Sequence, residues 1–344
     1  MKLMKTEEAV GQVLCHDITQ IIPGVTKDAV FRKGHIITKE DIPVLLSVGK
    51  EHIYIWEKDE HMLHENEAAQ ILYEMCRNEH MHPSAVKEGK IELIADCDGL
   101  FKVDREKLRK VNSLGEMMIA TRHGNTFVKK GDKLAGTRII PLVIEKEKRE
   151  RAKEICNDGS ILEIKPLQPK KAAILTTGSE VYHGRIQDKF TPVLVEKLKE
   201  YGSEVIFHEI YDDDHEAITK GCLSAIEQGA ELVLCTGGMS VDPDDKTPLA
   251  IKNTGARIVS YGAPVLPGAM FLVSYYEYKD KTIPIVGLPG CVMYAKRTIF
   301  DMALPRLLAD DFITAEELAL LGEGGLCLNC PVCTYPNCGF GKGW

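Results

Sequence analysis

Residues 170–178 read KKAAILTTG: two lysines, a short apolar run, two threonines and a glycine. A run of that length closed by glycine is a buried strand feeding a tight turn. The unit then repeats. TPVLVEKLKEYG (191–202) has helical apolar spacing and a glycine stop, and SEVIFHEIYDDD (203–214) is a strand entering an acidic loop. HEAITKGCLSAIEQG (215–229) is a second amphipathic helix, ELVLCTGGMSV (231–241) a buried strand with its loop, and TIPIVGLPG (282–290) the last strand. A helix is expected over 291–308, kinked or ended by Pro305. Strands alternating with helices predict an α/β fold, a three-layer α/β/α sandwich with a mostly parallel sheet. Ligands of such sheets collect at the carboxyl ends of the strands. TTGSE, YDDD, TGGMSVDPDD and GLPG all fall there.

The whole chain has 344 residues, enough for two or three domains. Hydrophobic residues make up 44% and charged residues 27%, which excludes a disordered chain and a membrane bundle. A formal charge of −8 repels a polyphosphate backbone, so nucleic acid is not an expected partner. No run approaches the roughly 18 apolar residues of a membrane span, and MKLMKTEEAVGQV lacks the apolar stretch of a signal peptide. The expected location is the cytoplasm, with no membrane partner.

Residues 1–165 read as a mixed α+β accessory region, 166–308 as the α/β domain, and 309–344 as a helix with a Cys-rich tail. In the first region, residues 30–57 suggest a turn, a helix beginning at Thr38 and stopped by Gly49, and a strand. Residues 65–82 place Ala68, Ile71, Leu72, Met75 and Cys76 on one helical stripe. His61, His64, His80 and His82 flank that helix without the carboxylate or cysteine pattern of a zinc site. Residues 115–144 alternate, with Gly124, Gly131 and Gly136 at turns, as in a small β structure. The charge run EKEKRERAKE (145–154) is a solvated helix face.

Of eleven cysteines, seven are scattered and read mainly as small packed hydrophobes. Cys291 is set apart, because a helix start would favour its thiolate as a nucleophile or soft ligand. The other four, Cys327, Cys330, Cys333 and Cys338, are spaced Cys-x2-Cys-x2-Cys-x4-Cys. That spacing suits one metal ion or an iron–sulfur cluster, with Zn²⁺ preferred because the fourth cysteine departs from a ferredoxin run. A redox-active pair such as Cys327/Cys330 is the alternative.

Glycines after buried strands let a backbone approach a ligand closely, and amides at a following helix start hold anions. Gly237–Gly238 and Gly287 to Gly290 therefore suggest a phosphorylated ligand. Beside them stand Asp188, Asp213, Asp242, Asp244 and Asp245, which would repel phosphate unless a divalent cation such as Mg²⁺ lies between.

TTGSEV (176–181), GRIQD (184–188), the acidic loop, TGGMSVDPDDKTP (236–248), LPG (266–268) and GLPG (287–290) occur in family order. This segment resembles the molybdopterin-binding domain of molybdenum-cofactor biosynthesis proteins, the gephyrin-like molybdenumtransferases and the molybdopterin adenylyltransferases. The resemblance implies binding of molybdopterin, or its adenylylated form, with Mg²⁺. It implies ligand-binding roles for Thr177, Gly178, Glu180, Gly184, Thr236, Gly237, Gly238, Ser240, Pro267, Gly268, Gly287, Leu288, Pro289 and Gly290. It implies catalytic roles for Asp188, Asp213 and Asp245, with Asp188 and Asp245 on the magnesium. TGGMSV looks like the molybdenum-inserting branch and DDKTP like the adenylylating one. Departures from the inserting branch are Ala269 for a lysine, Cys291–Val292 for Asn-Pro, Ser179 for an aspartate, and Lys189–Phe190 for Ser-Asn.

The expectation is a molybdenum or tungsten cofactor biosynthesis protein that inserts molybdate into adenylylated molybdopterin with release of AMP. Its rivals are adenylylation of molybdopterin by ATP, a nucleotide pyrophosphatase, and a non-catalytic carrier or sensor. Expected partners are molybdopterin, molybdate or tungstate, a molybdoenzyme or another biosynthesis protein, and a second copy of the chain in a homo-oligomer.

Overall fold

The structure is a computed structural model that describes residues 1–55 and 61–343; residues 56–57, the end of the strand expected within 30–57, lie outside them, as does Trp344. The chain divides into two compact units. The first comprises 1–96, 103–122 and 130–163, and the second comprises 97–102, 123–129 and 164–344.

In the first unit, strands Met81–Pro83, Lys90–Ala95, Lys133–Ile139 and Met117–Thr121 pair in that order as an antiparallel sheet. Helix Glu65–Cys76 buries Ala68, Leu72, Met75 and Cys76 of the expected stripe, while Ile71 is half-buried. Its start is held by His64, which accepts from the Asn66 N–H, while the Glu67 carboxylate accepts from the His64 N–H. His64 is thus a capping residue. The helix expected from Thr38 begins instead at Asp41, because the Asp41 carboxylate accepts the Thr38 N–H and keeps Thr38 in the preceding turn. Gly49 follows its end with φ +78°.

The second unit is built on a six-stranded mixed sheet. In spatial order its strands are Glu204–Tyr211, Lys171–Thr177, Leu232–Thr236, Lys281–Leu288, Leu272–Tyr278 and Arg257–Tyr261. The first four run parallel and the last two antiparallel, an edge pair that the alternating pattern of the sequence did not show. Successive residues of a strand face opposite sides, and here both sides are covered. Ala172, Ile174, Leu232 and Leu234 pack with Phe190, Leu194 and Leu198 of helix Phe190–Lys199 and with helix Ile299–Leu308. Ala173, Leu175, Val233 and Cys235 pack with Ile218, Cys222 and Ile226 of helix His215–Glu227 and with Ala250 and Ile251 of helix Thr247–Asn253.

The helix expected over 291–308 is broken. Residues Gly290–Met293 form one 3-10 turn, and the helix proper starts at Ile299, where Thr298 and Asp301 make a reciprocal capping box. Pro305 lies within its ten residues without ending it. Among the described residues no helix is long and apolar enough to cross a membrane.

Buried charge is concentrated at Asp311, which is 8% exposed and accepts from Lys102 at 2.8 Å, Lys165 at 2.9 Å and Arg306 Nε at 2.6 Å. Burial pushes this carboxyl up, but the Arg306 guanidinium and the two ammonium groups outweigh it and hold the pKa at about 2. A folded-state pKa below the unfolded value of about 3.9 gives stability that is complete above the unfolded value and lost as pH falls through the folded one. Urea midpoints should therefore drop between about pH 4 and about pH 2. Asp311→Asn should lower the neutral midpoint and flatten that drop; an unchanged difference between the two pH values would remove Asp311 from the account.

Candidate functional site

Strand register brings the predicted loops to one edge of the six-stranded sheet. Thr177 lies beside Tyr211, Thr176 beside Thr236, and Thr236 beside Leu288, so three parallel pairings finish level with one another. Leu272, which opens an antiparallel strand, pairs with Gly287 and brings the 262–271 loop to the same edge.

At the centre is Thr236–Gly237–Gly238. The Thr177 hydroxyl donates to the Thr236 carbonyl at 3.0 Å and lies 3.0 Å from the Thr247 hydroxyl. The Thr247 N–H donates to the Gly238 carbonyl at 3.2 Å, which folds the start of helix Thr247–Asn253 onto the loop. Gly237 has φ +82°, and a Cβ there would lie 2.1 Å from the Thr177 carbonyl oxygen. Gly238, at φ +52°, would place one 2.9 Å from the Thr247 hydroxyl. Gly287 is needed for another reason: a Cβ would meet the Met239 methyl at 2.5 Å. Thr177 and Gly287 therefore shape the loop, and Leu288, fully buried in the core, supports it from below. The Thr236 hydroxyl is buried and without a hydrogen-bond partner, an unsatisfied donor at the strand end.

Asp188 sits in a hydrogen-bond network that the sequence reading did not foresee. Its carboxylate accepts from the Phe190 N–H at 2.8 Å, the Thr191 N–H at 3.1 Å, the Thr191 hydroxyl at 2.6 Å and the Thr176 hydroxyl at 3.0 Å. His208 Nε2 lies 3.3 Å from the same carboxylate and 3.0 Å from the Thr191 hydroxyl. Burial raises the pKa of Asp188, but the hydrogen bonds from Thr191 and its neighbours outweigh burial and keep it below the ordinary value. His208 was missed because it lies inside SEVIFHEI, where the strand pattern hides its meeting with Thr191. Tyr261 was missed too; its hydroxyl donates to the Met239 carbonyl at 2.7 Å and braces the glycine loop from the far strand.

The remaining predicted residues are spread along the edge. Gly178, at φ +131°, donates to the Tyr211 carbonyl, and Gly184, at φ +68°, turns the chain after helix Ser179–Tyr182, which carries exposed Glu180. Asp213 accepts from the Ser179 N–H at 3.0 Å; burial and then the nearby Asp212, Glu180 and Asp244 push its pKa up, partly offset by that hydrogen bond. Asp245 clasps its own turn, accepting from the Asp242 N–H at 2.8 Å. Ser240 is exposed, and its carbonyl accepts from Tyr261. Pro267 follows a cis bond, and a Cβ on Gly268 would collide with Ile299 at 2.5 Å, which places that loop against a helix start. Pro289 caps the 3-10 turn, and Gly290 is open.

Residues 173–309 match the family described as "Probable molybdopterin binding domain". This segment belongs to that family. A molybdopterin adenylyltransferase of Pyrococcus furiosus is 27% identical over 135 residues, 39% of this chain and 76% of that protein. A putative competence-damage inducible protein of Bacillus subtilis is 32% identical over 89 residues, of which the chain spans only 21% of the length. Among solved structures, the tungsten cofactor synthesizing protein MoaB from Pyrococcus furiosus aligns at 21% identity over 36% of this chain and 84% of that one, with a TM-score of 0.32. Residues 3–57 match a domain of unknown function.

Two metal expectations for the molybdopterin-binding domain and its tail do not fit the residues as placed. Among the described residues no three His, Cys, Asp or Glu side chains are arranged to hold an ion. For Mg²⁺ the reason is that Asp188 and Asp245 are each engaged in separate hydrogen bonds. For Zn²⁺ or an iron–sulfur cluster it is that the four tail cysteines are divided, Cys327 and Cys338 packing against the core while Cys330 and Cys333 are exposed. Cys291 does not open a long helix, and burial pushes its thiol up, away from a reactive thiolate.

The close approach at Gly237 is directly testable. Gly237→Ala should lower stability by about 2 kcal/mol or more through the forced contact and the positive φ, whereas Gly290→Ala should stay within about 0.5 kcal/mol. Denaturant unfolding of the two variants measures both; equal effects would contradict the loop geometry.

Proposed function

We propose that the domain binds molybdopterin at this edge and transfers an adenylyl group to it from ATP, a step of molybdenum or tungsten cofactor biosynthesis. The observation that carries the choice is the DDKTP segment (244–248), which the Asp245 clasp on Asp242 and the Thr247-to-Gly238 bond hold against the glycine loop. The relative from Pyrococcus furiosus, named for adenylyl transfer, supports it.

In this reading an oxygen of the molybdopterin phosphate attacks the α-phosphorus of ATP. The bond to the β-phosphate breaks, and pyrophosphate leaves. Such a transfer needs positioning more than covalent chemistry. The Gly237–Gly238 backbone provides the close approach of phosphate oxygens to the strand end. Asp188, ionised and locked by its hydrogen bonds, fixes the start of helix Phe190–Lys199 beside those oxygens.

Molybdate insertion into the adenylylated product is the second reading, favoured by TGGMSV. Against it, the position after Pro267–Gly268 is Ala269, whose carbonyl accepts from the Ala263 N–H within the loop; no cation is supplied there. Pyrophosphate release from ATP with molybdopterin and no molybdate establishes adenylylation. AMP release from adenylylated molybdopterin with molybdate uptake establishes insertion instead, and tight binding without either product leaves a carrier. Asp245→Asn keeps an oxygen acceptor for the Asp242 N–H but loses the charge. Turnover should fall about a hundredfold, within the range for a positioned acid–base or electrostatic group, with the unfolding midpoint unchanged. Full activity would free Asp245 of any catalytic role.

A further inference from the structure

The divided tail has a chemistry of its own. Within the second unit, the Gly341 N–H donates to the Gly324 carbonyl at 3.0 Å, closing residues 325–340 into a loop that contains all four cysteines. Compact surface loops with closed ends are frequently functional. This one is anchored at three places. Leu266 donates to the Gly325 carbonyl and accepts from the Cys327 N–H, both at 2.8 Å, joining the tail to the residue before Pro267–Gly268. Tyr335 is half-buried, its hydroxyl donating to the Asp301 carbonyl at 3.3 Å beneath the Arg297 guanidinium. Lys296 donates to the Pro331 carbonyl at 2.9 Å.

The contacts at Cys327 and Tyr335 flank the Cys330–Cys333 segment and the Lys296 contact holds the bend inside it, while both thiols stay exposed. Cys330 and Cys333 are both exposed, Asn329 before them has φ +50°, and the chain bends at Pro331 and Val332 between them. A Cys-x2-Cys run bent at its two central residues has the spacing of motifs that cycle between dithiol and disulfide. Exposed thiols in a Cys-x2-Cys run are also the accessible partners that thiol–disulfide exchange requires. The packed pair, Cys327 and Cys338, lacks that access.

We propose that Cys330 and Cys333 form a reversible dithiol–disulfide pair that exchanges with a low-molecular-weight disulfide of the glutathione class. One thiolate attacks a sulfur of the incoming disulfide, giving a mixed disulfide and releasing one thiol; the second thiolate then attacks the protein sulfur and releases the other. The pair loses two electrons and two protons, and one disulfide becomes two thiols. Ring closure reorients the Pro331 carbonyl, the acceptor held by Lys296, so the redox state of the tail is coupled to the segment that follows the GLPG loop. The exchange itself does not depend on the proposed reaction.

The test uses the full chain equilibrated with reduced and oxidised glutathione at varied ratios, quenched with acid, and mapped by peptide mass. The expected product is the 327–338 peptide lighter by two hydrogens and bridged Cys330–Cys333, restored by excess reduced glutathione. Cys330→Ser should instead trap a mixed glutathione disulfide on Cys333. Because coupling is reciprocal, Lys296→Met should shift the glutathione ratio at half oxidation by about fivefold or more, a coupling at the low end of the usual range of about 1–3 kcal/mol. Bridging through Cys327 or Cys338, glutathione adducts without ring closure, or no oxidation at any ratio would overturn the pair. An unshifted ratio in Lys296→Met would overturn the coupling.

Discussion

A single contact, the approach of the Gly237 backbone to the Thr177 carbonyl, governs the site. There is no room there for one added carbon atom, since its nearest neighbour would be 2.1 Å away. Two glycines with positive φ resolve the crowding, and the Thr177 and Thr247 hydroxyls pack directly against them and lock the result. The loop is thus rigid before any ligand arrives, so little of the interaction with a ligand is lost to ordering it. Its floor, Leu234, Val286 and Leu288, is continuous core.

From that centre the edge is braced outward in both directions. Toward the outer parallel strand, Asp188, Thr176, Thr191 and His208 form a hydrogen-bonded cluster at the start of helix Phe190–Lys199. Toward the antiparallel strands, Tyr261 supports the glycine loop, and the Pro267–Gly268 turn rests on Ile299. The acidic residues mostly serve as local clasps: Asp213 holds Ser179, and Asp245 holds its own turn. This explains why a row of carboxylates at a strand edge is not by itself a cation site. Asp188, whose carboxylate already accepts from two amides and two hydroxyls, has the fewest lone pairs left for an ion.

The tail carries the same logic into the end of the chain. Phe340 enters the core beneath helix Ile299–Leu308, and half-buried Tyr335 packs beside it, so the C-terminal loop is part of the domain's packing. Its cysteines are sorted by that packing: Cys327 and Cys338, which pack against the core, are half-buried, and Cys330 and Cys333 at the bend face water. A spacing that invites four thiolates around one metal is consequently realised as two unlike pairs.

How much was legible follows from the range of the interactions involved. The strand and helix alternation of 170–308, the stripe on Glu65–Cys76 and the strand-end position of TTGSE, TGGMSV and GLPG rest on local periodicity, with glycines marking the turns, and the sequence determined them by itself. The start of the helix near Thr38 was misplaced because one side chain, Asp41, decides it. The break between Met293 and Ile299 escaped because apolar residues continue through it. Only the tertiary structure decided that strands 257–261 and 272–278 run antiparallel, that His208 meets Asp188, and that the tail cysteines part company. Each of these depends on residues distant in the chain meeting across a packed sheet or against a shared core, and periodicity along one segment carries no information about which other segment will lie beside it.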